Sequence, residues 1–339
     1  MNGAEGDELD ATHLGPEVVR RYLRRHGLEA RHALGQNHLV DGPTLEAIVA
    51  AAAPTPGRTV LEIGPGIGIL TGALLRAGAA VTAVEVDPRL AAHLRQRFAG
   101  AIEAAGADPG APGALRLVEA DALDVPVTDL VTPPYDLVAN LPYHITSPVL
   151  HHVLGEDPRP ERMVLMLQRE VAERIAAEPG ELGYLSVFVQ YHADVRVIRH
   201  VPAAAFEPPP EVESAVLAGT ARPRRLPPDE EEALWRLVQA GFRERRKMLR
   251  NVLSRQLPAV GRARIDEALG ATGIAPERRP QTLSVEDWLA LAEALKMIGS
   301  GWRGGTLVGT RRGAAAPAAA GADAGATGAP DRPSTGAAP

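Results

Sequence analysis

The chain has 339 residues, with 36 lysines and arginines against 42 aspartates and glutamates, a formal net charge of −6. Hydrophobic (45%) and charged (23%) fractions are those of a soluble globular chain long enough for two domains. The absence of cysteine excludes disulfides, a thiolate metal site and a cysteine nucleophile. A polar start (Met1 to Asp10) and the lack of any apolar run near the ~20 residues that span a bilayer predict a cytosolic protein without a membrane anchor. The negative sum does not exclude a nucleic-acid partner, because phosphate is felt only within ~10 Å. Two stretches are basic: Arg20, Arg21, Arg24 and Arg25 followed by Arg31 and His32, and Arg243, Arg245, Arg246, Lys247 and Arg250. Solvated helix faces would look the same.

In chain order, residues 1–14 carry little apolar pattern and are expected to be a disordered tail. Pro16 to His26 reads as a helix, with Pro16 in its first turn, Val19, Tyr22 and Leu23 at helical spacing, and Gly27 to end it. Residues 33–41 read as a loop and Pro43 to Ala53 as helix. From Thr59, short β-branched runs alternate with helical stretches. Strands are expected at Thr59 to Ile63, Ala80 to Asp87, Leu115 to Asp121, Tyr135 to Ala139 and Arg162 to Gln168. Helices fall at Leu70 to Arg76 and Pro88 to Phe98, and a Gly/Ala/Pro loop at Gly100 to Gly113. This alternation predicts an α/β fold, a mostly parallel sheet with helices on both faces. Ligands should sit at the carboxyl ends of the strands, where the strand order switches.

Leu182 to Gln190 reads as helix, and Val195 to Val201 and Ser214 to Leu217 as late strands. Between the late strands, Phe206-Glu207-Pro208-Pro209-Pro210 is expected to be irregular, since consecutive prolines lock φ and remove donors. After a linker at 221–229, only helices follow: Glu231 to Leu257, Ala263 to Leu269 and Val285 to Ile298. The expected organisation is a tail over 1–14, an α/β domain over 15–221, a small all-α domain over 222–298 and a tail over 299–339. That last segment is too poor in bulky apolar residues to fold.

The first strand runs into Glu62-Ile63-Gly64-Pro65-Gly66-Ile67-Gly68 and then a helix, an arrangement that brings backbone close to a ligand. The spacing is not G-x-G-x-x-G: the third glycine comes one residue early and Pro65 sits inside the turn. Alone, such a loop is equally a tight turn. The second strand offers Glu85, about 20 residues on, where a carboxylate can accept from both ribose hydroxyls. The third offers Asp121, placed for an adenine amino group. A loop without basic residues suits a cofactor without phosphate, S-adenosylmethionine rather than NAD.

Asn140-Leu141-Pro142-Tyr143 follows the fourth strand. An adenine N6 amine is a poor nucleophile because its lone pair is delocalised into the ring. The Asn140 side-chain oxygen and the Leu141 carbonyl can hold both amino hydrogens and draw the nitrogen toward a tetrahedral shape. Its lone pair then aims at a sulfonium methyl. Catalysis would rest on proximity and electrostatic orientation, without a nucleophilic side chain or a metal. Tyr143 would stack on the base, worth roughly 1–3 kcal/mol, and Phe206 would close the other face. In isolation these four residues also read as a strand-terminating turn; their place after the fourth strand favours the site.

Leu34-Gly35-Gln36-Asn37, Glu62 to Gly66, Val84 to Asp87, Asn140 to Ile145, Phe206 to Val216 and Phe242 to Lys247 together resemble the ribosomal RNA adenine N6,N6-dimethyltransferases. The resemblance runs in order from about Arg20 to Leu295. It implies a Rossmann-like class I methyltransferase fold, with a mostly parallel seven-stranded sheet, plus a small helical RNA-binding domain. It implies dimethylation of two adjacent adenosines in the 3′-terminal hairpin loop of 16S rRNA in the assembling 30S subunit, by a monomer using S-adenosylmethionine. By resemblance the cofactor positions are Asn37, Leu39, Gly64, Glu85, Asp121 and Asn140, with Glu62 and Gly66 of the loop. Asn140, Leu141, Pro142, Tyr143 and Phe206 form the catalytic set, and Arg243, Arg245, Arg246, Lys247 and Arg250 the RNA contacts.

Two positions depart from the family pattern: His38 stands where a phenylalanine is usual, and His32, only partly charged near neutral pH, where a basic residue is usual. The nearest rival is the sister branch that methylates 23S rRNA and confers macrolide resistance. Leu141, the three prolines and the Arg245-Arg246-Lys247 helix favour the small-subunit branch. An idle RNA-binding assembly factor is disfavoured by the intact Asn140, Tyr143 and Glu85. An NAD oxidoreductase is disfavoured by the glycine spacing.

Overall fold

The computed structural model describes residues 9–29 and 35–296. Seven strands form one sheet: β2 (Thr59–Ile63), β3 (Ala80–Glu85), β4 (Leu115–Glu119), β5 (Tyr135–Asn140), β6 (Arg162–Gln168), β7 (Ala193–Val201) and β9 (Ser214–Ala221). Their order is β4-β3-β2-β5-β6-β9-β7. The first five run parallel, and β9 lies antiparallel between β6 and β7. Two further strands, β1 (His38–Leu39) and β8 (Phe206–Glu207), pair with each other.

The helices are α1 (Pro16–Arg25), α2 (Gly42–Ala52), α3 (Ile69–Arg76), α4 (Pro88–Arg97), α5 (Ala99–Ala107), α6 (Val127–Leu130), α7 (Thr146–Gly155), α8 (Arg169–Ile175) and α9 (Tyr184–His192). Then come α10 (Pro228–Phe242), α11 (Leu249–Gln256), α12 (Arg262–Ala271) and α13 (Val285–Ala294). Asp41 caps α2 by accepting from Thr44 N (2.9 Å), and Asp87 caps α4 by accepting from Arg89 N (3.0 Å).

The period of two along each strand divides the sheet into two cores. Val60, Val138, Val164 and Met166 face one side, with Leu45 and Ile48 of α2 and Leu70 and Leu74 of α3. Leu61, Leu137, Leu165 and Leu167 face the other, with Val149 and Val153 of α7 and Ile175 of α8. Strands buried on both faces read as near-continuous apolar runs, which is what the sequence shows at Tyr135 to Ala139 and Met163 to Leu167. At the amino ends of the strands, buried Asp136 accepts from Arg58 Nη2 (2.8 Å) and Arg162 Nη2 (2.7 Å). This clamp ties the starts of β2, β5 and β6 together. A third core joins α10–α13 around fully buried Trp288 and takes in Val187 and Tyr191 of α9.

Several expectations change. The loop at Gly100 to Gly113 contains α5, because its alanines favour helix even without a bulky apolar stripe. Phe206 and Glu207 are not irregular: they pair with Leu39 and His38, and only the prolines beyond them leave the ladder. The Glu231 to Leu257 helix is broken. Arg243 to Lys247 form the turn between α10 and α11, since four cations with no apolar residue among them have nothing to bury and repel at helical spacing. Helices α6, α7 and α8 have no counterpart among the expected elements. Within the expected N-terminal tail, Leu9 is fully buried. Residues 1–8, His32, Ile298 and the tail at 299–339 lie outside the described residues. No described helix is long and apolar enough to cross a membrane.

Candidate active site

The strand order reverses between β2 and β5, and a cleft opens at the carboxyl ends of β2, β3, β4 and β5. It is open to solvent and spans about 1040 Å³ of non-protein space, solvent at its mouth included. All twelve of the predicted cofactor and catalytic positions, namely Asn37, Leu39, Glu62, Gly64, Gly66, Glu85, Asp121, Asn140, Leu141, Pro142, Tyr143 and Phe206, line it.

The glycine loop packs closely on its protein neighbours. Gly64 (φ 70°) and Gly66 (φ 60°) are left-handed, and a Cβ on either would stand 3.4 Å from Pro142 Cδ or 3.3 Å from His38 Nδ1. Glu85, at the end of β3, is nearly buried and holds this loop in place. Its Oε2 accepts from Gly66 N (3.1 Å) and its Oε1 from Asp87 N (2.9 Å). Burial pushes its carboxyl up, and the backbone donors act against that. Each oxygen retains acceptor capacity toward the cleft.

Asp121 lies two residues past the end of β4 rather than on it. It is exposed, and its Oδ1 accepts from Leu123 N (2.9 Å). Glu62 borders the cleft from below. Its Oε2 is sealed and has no hydrogen-bond partner among the described residues, and burial pushes its carboxyl up to about 8. His38 is also buried, which lowers its imidazole to about 4 and keeps it neutral. It therefore occupies the place against Gly66 as an uncharged ring, as a phenylalanine would.

Asn140 is the last residue of β5, and its Nδ2 donates to Asn37 O (3.4 Å). With the amide nitrogen so engaged, Oδ1 is the end left to accept from a ligand. Leu141 N donates to Met166 O (3.2 Å), which extends the β5–β6 ladder one residue and fixes the peptide that follows the strand. Pro142 packs on Gly64 and leads into a short turn, Tyr143–Ile145. The half-buried Tyr143 ring ends in a hydroxyl 2.6 Å from Ser214 Oγ, and burial pushes that phenol up. Phe206, almost fully buried, reaches the cleft from β8. The β1–β8 pair thus links Leu39 to Phe206, both of which line the cleft.

The predicted RNA residues stand apart: none of Arg243, Arg245, Arg246, Lys247 or Arg250 lines the cleft. The first four are exposed on the turn after α10, and Arg250 is half-buried, 3.7 Å from Asp266. The sequence reading missed Val86, half-exposed at the cleft beside Glu85, and Gln36, whose Nε2 donates to Asp87 Oδ2 (3.2 Å). An apolar residue directly after a strand-end carboxylate was the available signal for Val86. Among the described residues no group of three or more His, Asp or Glu side chains is arranged to hold a metal.

The family model described as ribosomal RNA adenine dimethylase matches residues 27–297. The ribosomal RNA small subunit methyltransferase A of Anaeromyxobacter sp. (strain K) is 42% identical over 289 residues, 81% of this chain and 97% of that protein. The protein of the same name from Thermobifida fusca is 40% identical over 292 residues, 85% of this chain and 98% of that one. Among solved structures, a dimethyladenosine transferase from Plasmodium falciparum shares the fold, with a TM-score of 0.63, 24% identity, and 76% of this chain and 97% of that one covered. The 23S rRNA methyltransferase ErmE gives a TM-score of 0.59 at 29% identity, covering 77% of this chain and 100% of that one. The fold is that of the class I methyltransferases, with added helices at the carboxyl end. With a family match over most of its length and five of its six dimethylase-like segments contributing to one cleft, the chain belongs to the ribosomal RNA adenine dimethylase family.

Proposed function

We propose that this protein transfers methyl groups from S-adenosylmethionine to N6 of two adjacent adenosines in the 3′-terminal hairpin loop of 16S rRNA, making each a dimethyladenosine. The observation that carries this reading is Asn140: it ends β5 at the strand-order switch with Nδ2 engaged by Asn37 O, beside the Gly66–Glu85 cradle. Relatives named for the small subunit, about 40% identical over most of both chains, support the 16S target over the 23S one. We take the protein to act as a cytoplasmic monomer on the assembling 30S particle. The α/β part over 15–221 carries the chemistry and the helices over 222–298 carry RNA binding.

The cleft fits the cofactor by its donor set. Gly64 and Gly66 keep the floor free of side chains, Glu85 presents two carboxylate oxygens for ribose hydroxyls, and Asp121 presents one for the adenine amine. Asn37 and Leu39 line the cleft as well, and among the described residues no lysine or arginine lines it to hold a phosphate. When bound, S-adenosylmethionine supplies a sulfonium-borne methyl that a nitrogen can accept.

The protein's part is to make the adenine amine able to accept it. Asn140 Oδ1 and the Leu141 carbonyl each accept a hydrogen bond from one N6–H, which localises the lone pair on nitrogen and points it across the cleft. Tyr143 supports one face of the flipped base and Phe206 closes the other. A base taken out of its stack loses its neighbours, and the ring replaces part of that loss. The methylated amine then carries one excess proton and loses it directly to water, since neither amide oxygen is a base; the one N–H that remains is held by one of the two acceptors for the second transfer. The exposed cations at Arg243, Arg245, Arg246 and Lys247 hold the RNA backbone away from the chemistry.

The test is incubation with labelled S-adenosylmethionine and undermethylated 30S particles, with protein-free 23S rRNA in parallel, followed by mapping of the modified bases. Paired dimethyladenosines in the 16S 3′ hairpin are expected. Label in 23S rRNA alone moves the protein to the resistance branch, and no label in either, with cofactor bound, overturns the catalytic reading.

A further inference from the structure

The ring proposed to support the target base stands on a short piece of chain. Tyr143–Ile145 is a single turn closed by Ile145 N donating to Pro142 O (3.1 Å), and Tyr143 is its first residue. An aromatic side chain at such a place keeps its choice of χ1 rotamer unless a contact removes it. Its hydroxyl makes that contact, 2.6 Å from Ser214 Oγ.

Ser214 is a fixed point. It is the first residue of β9, completely buried, and its backbone is paired with Gln168 of β6 on one side and Val201 of β7 on the other. A hydroxyl held between two neighbouring strands has no backbone freedom to follow the tyrosine, so the tyrosine must follow it. Ser214 does not itself line the cleft. It stands behind the ring, on the side of the sheet where the antiparallel strands have been added to the parallel five. The Tyr143 phenol stays protonated through the neutral range, since burial pushes it up, and so keeps its full capacity to donate or accept in this pair.

We infer that Ser214 is a positioning residue for methyl transfer: its hydroxyl fixes the Tyr143 ring in the plane on which the target adenine stacks. This rests on the reading of Tyr143 as the support for that base. The serine adds nothing to cofactor binding and touches neither reacting atom. Without it the phenol turns toward water and the ring leaves its plane, so the flipped adenine is bound with its amine off the line from Asn140 and Leu141. Such misplacement acts on turnover rather than on cofactor affinity.

The experiment is a mutant cycle of S214A, Y143F and the double variant in the full-length enzyme, with turnover on undermethylated 30S particles, cofactor affinity by calorimetry and melting temperature measured for each. Either single change is expected to lower kcat about tenfold, the effect of one lost neutral hydrogen bond, with the cofactor Kd within about twofold. The double variant is expected to be no slower than the slower single variant, because both remove one interaction. Losses that multiply to about a hundredfold overturn the inference, and so does wild-type turnover in Y143F, which keeps the ring and loses only the hydroxyl. If S214A fails to fold, Y143F alone decides, since its change lies at a half-buried site. A wild-type enzyme that binds cofactor but methylates nothing overturns the reading of Tyr143 itself, whereas an active wild type with equally active variants overturns only the role of Ser214.

Discussion

Replacing Asn140 by alanine separates the two jobs its side chain does. Its Oδ1 is the acceptor offered to the adenine amine, and its Nδ2 donates to Asn37 O over 3.4 Å. Loss of one preorganised hydrogen-bonding group aimed at the reacting centre costs about 10²–10³ in kcat, or about 2.7–4 kcal/mol. The bond to Asn37 is long, so its loss lies at the weak end of the roughly 0.5–1.5 kcal/mol that a neutral hydrogen bond contributes. Cofactor affinity should therefore fall by less than about tenfold while transfer nearly stops. Asn140→Asp makes the comparison sharper. It keeps acceptors toward the amine but turns an oxygen toward the Asn37 carbonyl, so it should retain more transfer than the alanine variant and bind cofactor less well. Single-turnover transfer from labelled cofactor to undermethylated particles, with affinity measured by calorimetry, gives both numbers. Wild-type turnover in Asn140→Ala would refute the proposed role of the amide, and an equal loss in affinity and turnover would make it a cofactor residue only.

The two glutamates of the cleft respond differently. Glu85→Gln turns one acceptor into a donor facing either Gly66 N–H or Asp87 N–H, so cofactor affinity should fall about 10- to 100-fold, the range for a hydrogen bond to a charged group. Because burial raises the Glu85 carboxyl, wild-type affinity should begin to drop on acidification at a higher pH than an exposed glutamate would set; a titration following that of an exposed carboxylate refutes this. Glu62, pushed up to about 8 by burial, keeps its proton in the folded state where the unfolded chain has lost it. Between about pH 4.5 and pH 8 the folded state therefore binds more protons, and stability falls as pH rises through that window. Glu62→Gln should melt progressively higher than wild type across it and by a constant margin above it, whereas equal margins at pH 4.5 and 8.5 would contradict the assignment. Removing Arg245, Arg246 and Lys247 together should leave the melting temperature unchanged, since all three are exposed, and lower the salt slope of RNA binding by about 2; an unchanged slope would show that they do not meet phosphate.

The sheet and its cleft were legible because each strand carries its own signal. Tyr135 to Ala139 and Met163 to Leu167 are buried on both faces, so their composition alone separates them from the helices between. Once the strands are counted, the end of the fourth falls on Asn140, and the neighbours of a strand-order switch follow from topology. The same logic puts Gly64, Gly66 and Glu85 at neighbouring strand ends, and all three line the cleft. Signals that depend on a second segment were not legible. His38 and Leu39 become a strand only because Glu207 and Phe206 lie beside them, and neither pair has a pattern of its own. The helix at Ala99–Ala107 has propensity without amphipathicity, none of its residues being buried, so a reading based on apolar period passes over it.

The basic segment failed for the opposite reason. Its charges suggested a helix face, but a helix needs an apolar stripe to dock, and Arg243 to Lys247 supply none until Met248, which is itself 40% exposed. The chain therefore turns there, and the turn resumes as α11 only where Leu249 is buried and its N–H reaches Arg278 O (2.8 Å). This difference matters for recognition. Cations spaced along a helix present one phosphate ridge at a fixed rise, whereas cations on a tight turn converge on a small region. Such a tip suits a projecting bend or groove of folded RNA better than the length of a regular duplex, and folded RNA is recognised chiefly through such shape and backbone contacts. The turn can thus set where the particle is gripped, and the cleft, whose lining includes none of these cations, can set which base is methylated.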